Sequence, residues 1–201
     1  MTFISKKIIF VHVAKSAGTS IKTSLSKNFK LEIHKGILSN EHQTFRQIIK
    51  INKKINQNRI SFAVVRNPFE RFVSIFRFIM RPFKLQKWYG AEGSLIFEKY
   101  SNFEKFTESY TMPLHFWHGC DHLSPQLHWA EGVDKIFKIE EKREIESFLS
   151  NLGSTHQIGH ENKKETYSGY KRMYRNYYNE NTKKIIYKAF EKDLDSFKYT
   201  F

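Results

Sequence analysis

Residues 10–25, "FVHVAKSAGTSIKTSL", decide the fold. The stretch passes from an apolar run into a lysine, small hydroxyl residues and a glycine, then into a segment with Ile21 and Leu25 on one face. A short run rich in β-branched residues reads as a buried strand, and hydroxyl residues ahead of helical apolar spacing read as a helix start. The connecting "AKSAGTS" offers what an anion needs: N–H groups at a helix start, a glycine for close approach, three hydroxyls and a cation. It equally suits an ordinary strand–helix turn with a solvated lysine. It is not a Walker A loop, in which lysine follows the glycines and precedes the magnesium-binding hydroxyl. Here Lys15 precedes Gly18, which disfavours Walker-type ATP hydrolysis.

A second strand-to-helix junction lies at "ISFAVV" (60–65) and "RNPFERFVSIFRFIM" (66–80). Asn67 is a good N-cap, Pro68 fits the first helical position, and Phe69, Phe72, Val73, Phe76 and Met80 form an apolar stripe. Arg66 stands at the strand end, where its planar fork can grip a phosphate with two hydrogen bonds, and Ser74 follows two turns later. Two cationic junctions in one sheet suit a ligand with anionic groups at both ends.

Working outward, "FKLEI" (29–33) reads as a strand and "EHQTFRQIIKINKKI" (41–55) as a helix with Phe45, Ile48, Ile49 and Ile55 inward. "RPFKLQKWYGAEGS" (81–94) reads as a loop, "SNFEKFTESY" (101–110) as a short helix, and "TMPLHFWHGCDHLSPQ" (111–126) as an exposed His-rich connection. "VDKIFKI" (133–139) reads as a strand and "EEKREIESFLSNLG" (140–153) as a helix ending at Gly153; a long loop follows at 156–170. The closing "NENTKKIIYKAFEKDLDSF" (179–197) turns Ile185, Ile186, Ala189, Phe190, Leu194 and Phe197 inward. Strands alternating with helices predict an α/β domain with a mostly parallel sheet flanked by helices. Ligands of such sheets bind outside the carboxyl ends of the strands, where strand order reverses.

The length of 201 residues suits a single domain spanning 1–201. The net charge of +14 points to an anionic partner: nucleic acid, an anionic membrane, or a phosphorylated or sulfated small molecule or glycan. Its cations are spread along the chain rather than gathered in a tail, and no recognised nucleic-acid motif accompanies them. Cys120 is the only cysteine, so no intrachain disulfide forms and a reducing compartment is compatible. The apolar run "IIFVHVA" is far shorter than the roughly 18 residues of a membrane span. With the first strand starting almost at Met1, the expected location is cytoplasmic, without stable membrane insertion.

"IFVHVAKSAGTSI" (9–21) followed by "FAVVRNPFERFVSIF" (62–76) resembles the sulfotransferases that use 3′-phosphoadenosine 5′-phosphosulfate (PAPS), in the branch of the carbohydrate O-sulfotransferases. "HQTFRQI", "SPQLHW", "VDKIFKIE" and "YRNYYNENTKKIIYKAFEKDLDSFKY" resemble successive blocks of bacterial members, so the likeness covers nearly the whole chain. Ala14 departs from the usual loop, where proline is common, and Ser16 from a common threonine; neither change removes a ligand-binding group.

The resemblance implies a P-loop fold related to nucleotide kinases, with Lys15, Ser16, Ala17, Gly18, Thr19 and Ser20 around the 5′-phosphosulfate and Arg66 and Ser74 at the 3′-phosphate. It implies sulfuryl transfer to a hydroxyl of a carbohydrate or glycolipid acceptor, with no metal and no nucleic acid. Lys15 is the expected stabiliser of the leaving oxygen. His42 is the leading candidate base, on the strength of its family block, and His34 the runner-up; the other reading of His42 is an exposed helix-start histidine. His12 reads as a core residue, and Glu140 and Arg71 as structural. His115, His118, Cys120 and His122 fit no common zinc spacing, and Trp117 and Trp129 suit either sugar stacking or packing. Within "YKRMYRNYY", Arg172, Tyr174 or Arg175 either closes over the nucleotide or packs the last helix. The rival readings are a basic nucleic-acid-binding module and a small-molecule kinase on a related fold.

Overall fold

The apolar run of the first junction is the second strand of a four-stranded sheet. In the computed structural model, which describes residues 2–32, 43–51, 53–55, 57–110, 121–155, 158–159 and 174–201, the strands are β1 (Phe3–Ile4), β2 (Ile8–Val11), β3 (Ile60–Val65) and β4 (Lys135–Lys138). The helices are α1 (Gly18–Asn28), α2 (Phe45–Ile51), α3 (Pro68–Ile79), α4 (Pro82–Tyr89), α5 (Glu92–Tyr100), α6 (Phe103–Ser109), α7 (Gln126–Ala130), α8 (Lys142–Asn151), α9 (Glu180–Ala189) and α10 (Glu191–Phe197). Packing divides the chain into two compact units, Met1–Arg66 with Pro125–Glu165 and Asn67–Ser124 with Thr166–Phe201. Each is taken by itself.

The first unit is α/β, with a mostly parallel sheet. The strand order is β1-β2-β3-β4, β1 running antiparallel to β2 while the β2–β3 and β3–β4 pairs are parallel. Alternate side chains of the strands leave by opposite faces. Ile8, Phe10, Phe62 and Val64 pack with Ile21 and Leu25 of α1 and Ile145, Phe148 and Leu149 of α8. Ile9, Val11 and Ala63 pack with Phe45 and Ile48 of α2 and Trp129 and Ala130 of α7. Helices on both faces explain why "ISFAVV" is apolar without alternation. Each large apolar side chain so buried contributes roughly 1.5–3 kcal/mol. Ser61 pins the β3–β4 register: its N–H and hydroxyl donate to Asp134 Oδ2 at 2.7 and 2.6 Å.

The second unit is helical and built around α3. Asn67 Oδ1 accepts from Phe69 N at 3.0 Å and Pro68 occupies the first turn, as the sequence predicts. The stripe from Phe69 to Met80 packs with Phe103 and Phe106 of α6, Ile186 of α9, and Phe190 and Leu194. Arg71, only 1% exposed, donates through Nη2 to the carbonyls of His122 and Ser124 at 2.7 and 2.9 Å, a structural role. Tyr178 donates to Phe69 O at 2.8 Å, and burial, with Tyr174 nearby, pushes its phenol well above the ordinary range.

Four local expectations change. Residues 29–32 form no strand; one bond, Glu32 N to Ile4 O at 2.7 Å, takes the place of a ladder. The two-residue β1 was not foreseen, being too short to show a period. Residues 81–94, expected as a loop, carry α4 and the start of α5. Their turn formers have helix-compatible places: Pro82 opens α4, Gly90 ends it, and Gly93 lets α5 lie against α4, since a Cβ there would sit 2.6 Å from the Leu85 carbonyl carbon. Finally, among the described strands the order does not reverse.

Candidate functional site

β2 and β3 are parallel neighbours, with Val11 paired to Ala63, so the turn after β2 and Arg66 after β3 open on the same edge of the sheet. That turn has an unusual backbone. Lys15 and Ala17 take φ of 64° and 59°, with Ser16 between them outside the left-handed region. Left-handed conformation costs an ordinary L-residue roughly 1–2 kcal/mol, so two such residues in three are a strain the surrounding packing must hold. Within it the Ser16 N–H donates back to Val13 O at 3.3 Å, closing the turn just past the end of β2. Ala17, the N-cap of α1, supplies no side-chain cap, and the first helical turn has no acidic residue. The positive helix end therefore receives no neutralisation from its own N-cap side chain or from an acidic residue in its own first turn. By contrast, α3 is capped by its own Asn67.

Gly18 is needed for a reason other than the one read from sequence. Its φ is not positive, and the space beside it is filled by the His12 ring: a Cβ would lie 1.7 Å from His12 Cδ2. The close approach is to a side chain of the same unit. His12, half-buried and stacked on Phe10 with ring centroids 6.3 Å apart, thus props the first residue of α1.

One residue ties the two junctions together. Gln126, fully buried at the start of α7, accepts through Oε1 from Ser16 Oγ at 3.1 Å and from Arg66 N at 2.9 Å. Its Nε2 donates to Arg66 O at 2.8 Å. Arg66 itself is 4% exposed.

The family model described as "Sulfotransferase family" matches residues 1–200. The chain belongs to the sulfotransferase family. Comparison with curated proteins and with solved structures gave no match. As a sulfotransferase it is a transferase, its α/β architecture is compatible with that fold, and the family implies a nucleotide sulfate donor and an acceptor.

In this sulfotransferase the expected loop residues fall on a turn, Lys15 to Ala17, and the first turn of α1, Gly18 to Ser20: Lys15, Ala17 and Ser20 are half-buried, Ser16 and Gly18 buried, Thr19 exposed. The Ser16 hydroxyl is turned inward to Gln126. Ser74 lies half-buried on α3 in the second unit. Arg175, in the same unit, donates through Nη2 to Phe201 O at 2.9 Å, and its guanidinium lies 5.8 and 5.5 Å from the Tyr174 and Phe201 ring centroids. Trp129, 2% exposed between α7 and the sheet, is a core residue and not a sugar platform.

His34, His42, His115, Trp117, His118, Cys120 and Arg172 lie outside the described residues. His122 is described, its ring stacked on Phe78 at 5.1 Å. Among the described residues no three His, Cys, Asp or Glu side chains gather as metal ligands, and no helix is long and apolar enough to cross a membrane. Gln126 was missed from sequence; "SPQLHW" marked the block, but a glutamine after a proline announces no chemistry.

Proposed function

We propose that the protein transfers a sulfuryl group from PAPS to a hydroxyl of a carbohydrate or glycolipid acceptor. The observation that supports this reading is the uncapped, left-handed turn at Lys15–Ala17 opening on the same sheet edge as the buried cation Arg66. A nucleotide with anionic groups at its 5′ and 3′ ends fits that pair. Transfer requires in-line placement, neutralisation of the departing phosphate, and removal of the acceptor proton. The N–H groups at the start of α1 hold the 5′ end, and Lys15 stabilises charge on the leaving oxygen. Arg66 holds the 3′-phosphate. His42 accepts the acceptor's proton, an assignment that rests on its sequence block alone.

Thermal unfolding with 3′-phosphoadenosine 5′-phosphate (PAP), AMP and ATP tests the donor. A ligand at a hundredfold excess over its Kd stabilises by about 2.7 kcal/mol. PAP raises Tm well above the shifts given by AMP and ATP; equal shifts overturn the reading. Incubation with labelled donor and a glycan and glycolipid panel, read by mass spectrometry, then identifies the acceptor. His42→Ala retains PAP binding and loses roughly 10² to 10⁴ in turnover.

A further inference from the structure

We infer that Gln126 is a positioning residue that holds the Ser16 turn and Arg66 in one arrangement through a single shared oxygen, so that the two anion-binding corners respond together to its loss. The inference rests on the donor reading above. The geometry that carries it lies within the first unit. β3 ends at Val65, where its carbonyl still accepts from Ile139 N at 2.8 Å beside β4. One residue on, the side-chain amide of Gln126 takes over: it accepts from Arg66 N and donates to Arg66 O. A carboxamide has the same donor and acceptor as a peptide group, so it extends the pairing by one rung and fixes the backbone from which the Arg66 side chain departs. The same Oε1 also accepts the Ser16 hydroxyl.

Ser16 sits between the two left-handed residues, so its hydroxyl bond anchors the middle of the strained turn. All three bonds are buried, and Gln126 and Ser16 are 0% and 1% exposed, so water cannot substitute for a lost partner. Buried, unmatched polar groups cost more than the bond they formed, and the backbone shifts to find new ones. Gln126 is held in turn by α7, whose Trp129 and Ala130 pack on the sheet.

The test compares wild type with Gln126→Leu, Gln126→Glu and Ser16→Ala, measuring PAP and AMP Kd by calorimetry and amide hydrogen exchange at Arg66 in the ligand-free protein. Gln126→Leu accelerates exchange at Arg66 and weakens PAP binding by about tenfold or more, while AMP, which lacks the 3′-phosphate, loses less. Gln126→Glu keeps the shared oxygen, gives up the bond to Arg66 O, and falls between Leu and wild type. Ser16→Ala, which cuts one arm and spares the fold if the Leu variant does not fold, weakens PAP binding by about threefold or more and also speeds exchange at Arg66. If wild type prefers PAP but the variants bind it unchanged, Gln126 is structural only and the inference fails while the donor reading stands. If wild type itself does not prefer PAP over AMP, both fall.

Discussion

The His12 ring occupies the place where a side chain on Gly18 would go, its Cδ2 1.7 Å and its Nε2 2.0 Å from the ideal Cβ position. Gly18→Ala therefore forces the ring or the start of α1 to move. Overpacking of this kind costs about 1–3 kcal/mol, and urea unfolding measures it. In a His12→Ala background the same substitution costs less than in wild type, because the clash partner is gone. An equal cost in both backgrounds places the strain in the backbone instead.

Ala17 carries φ of 59° as an ordinary L-residue. Ala17→Gly removes that strain at some cost in unfolded-chain entropy, for a net gain of up to about 1 kcal/mol. Ala17→Val moves stability the other way by about 1–2 kcal/mol, since a β-branched residue tolerates the left-handed region poorly. The two shifts have opposite signs in equilibrium unfolding.

Lys15→Ala removes the cation from the turn. Loss of a charge-assisted hydrogen bond of roughly 1.5–3 kcal/mol lowers PAP affinity by roughly 10- to 150-fold, and turnover falls with it. Lys15→Arg restores charge without the compact ammonium and recovers only part of the activity. Calorimetry and a sulfate-transfer assay check both.

Trp129→Ala tests the core assignment. A tryptophan 2% exposed leaves a large cavity when truncated, costing about 3–5 kcal/mol. A sugar-stacking residue would instead leave stability nearly unchanged and reduce acceptor affinity.

Tyr178 gives the fold an alkaline limit. Burial holds its phenol neutral, above its unfolded value, so the stability it supplies is complete below about pH 10 and is lost as pH rises through the elevated folded value. Tyr178→Phe loses the bond to Phe69 O, about 1 kcal/mol at neutral pH, and flattens the decline of stability above pH about 10. Unfolding curves at several pH values measure both effects.

The sequence by itself determined the α/β layering, the two strand-to-helix junctions, the Asn67–Pro68 start of α3 and the family, because these follow from local spacing and from motifs whose residues lie close along the chain. Tertiary structure alone decided the rest. Positive φ at Lys15 and Ala17 cannot be read from residues that ordinarily avoid it, and it is sustained by packing around them. The requirement for Gly18 comes from a ring six positions earlier. Residues 81–94 looked like a loop because their proline and two glycines break isolated helices; the apposition of Gly93 and Leu85 makes the same residues a helical pair. Gln126 joins Ser16 and Arg66 across 110 and 60 positions of sequence. A hydrogen bond between distant residues has no period and no motif, so only the folded chain brings its partners together.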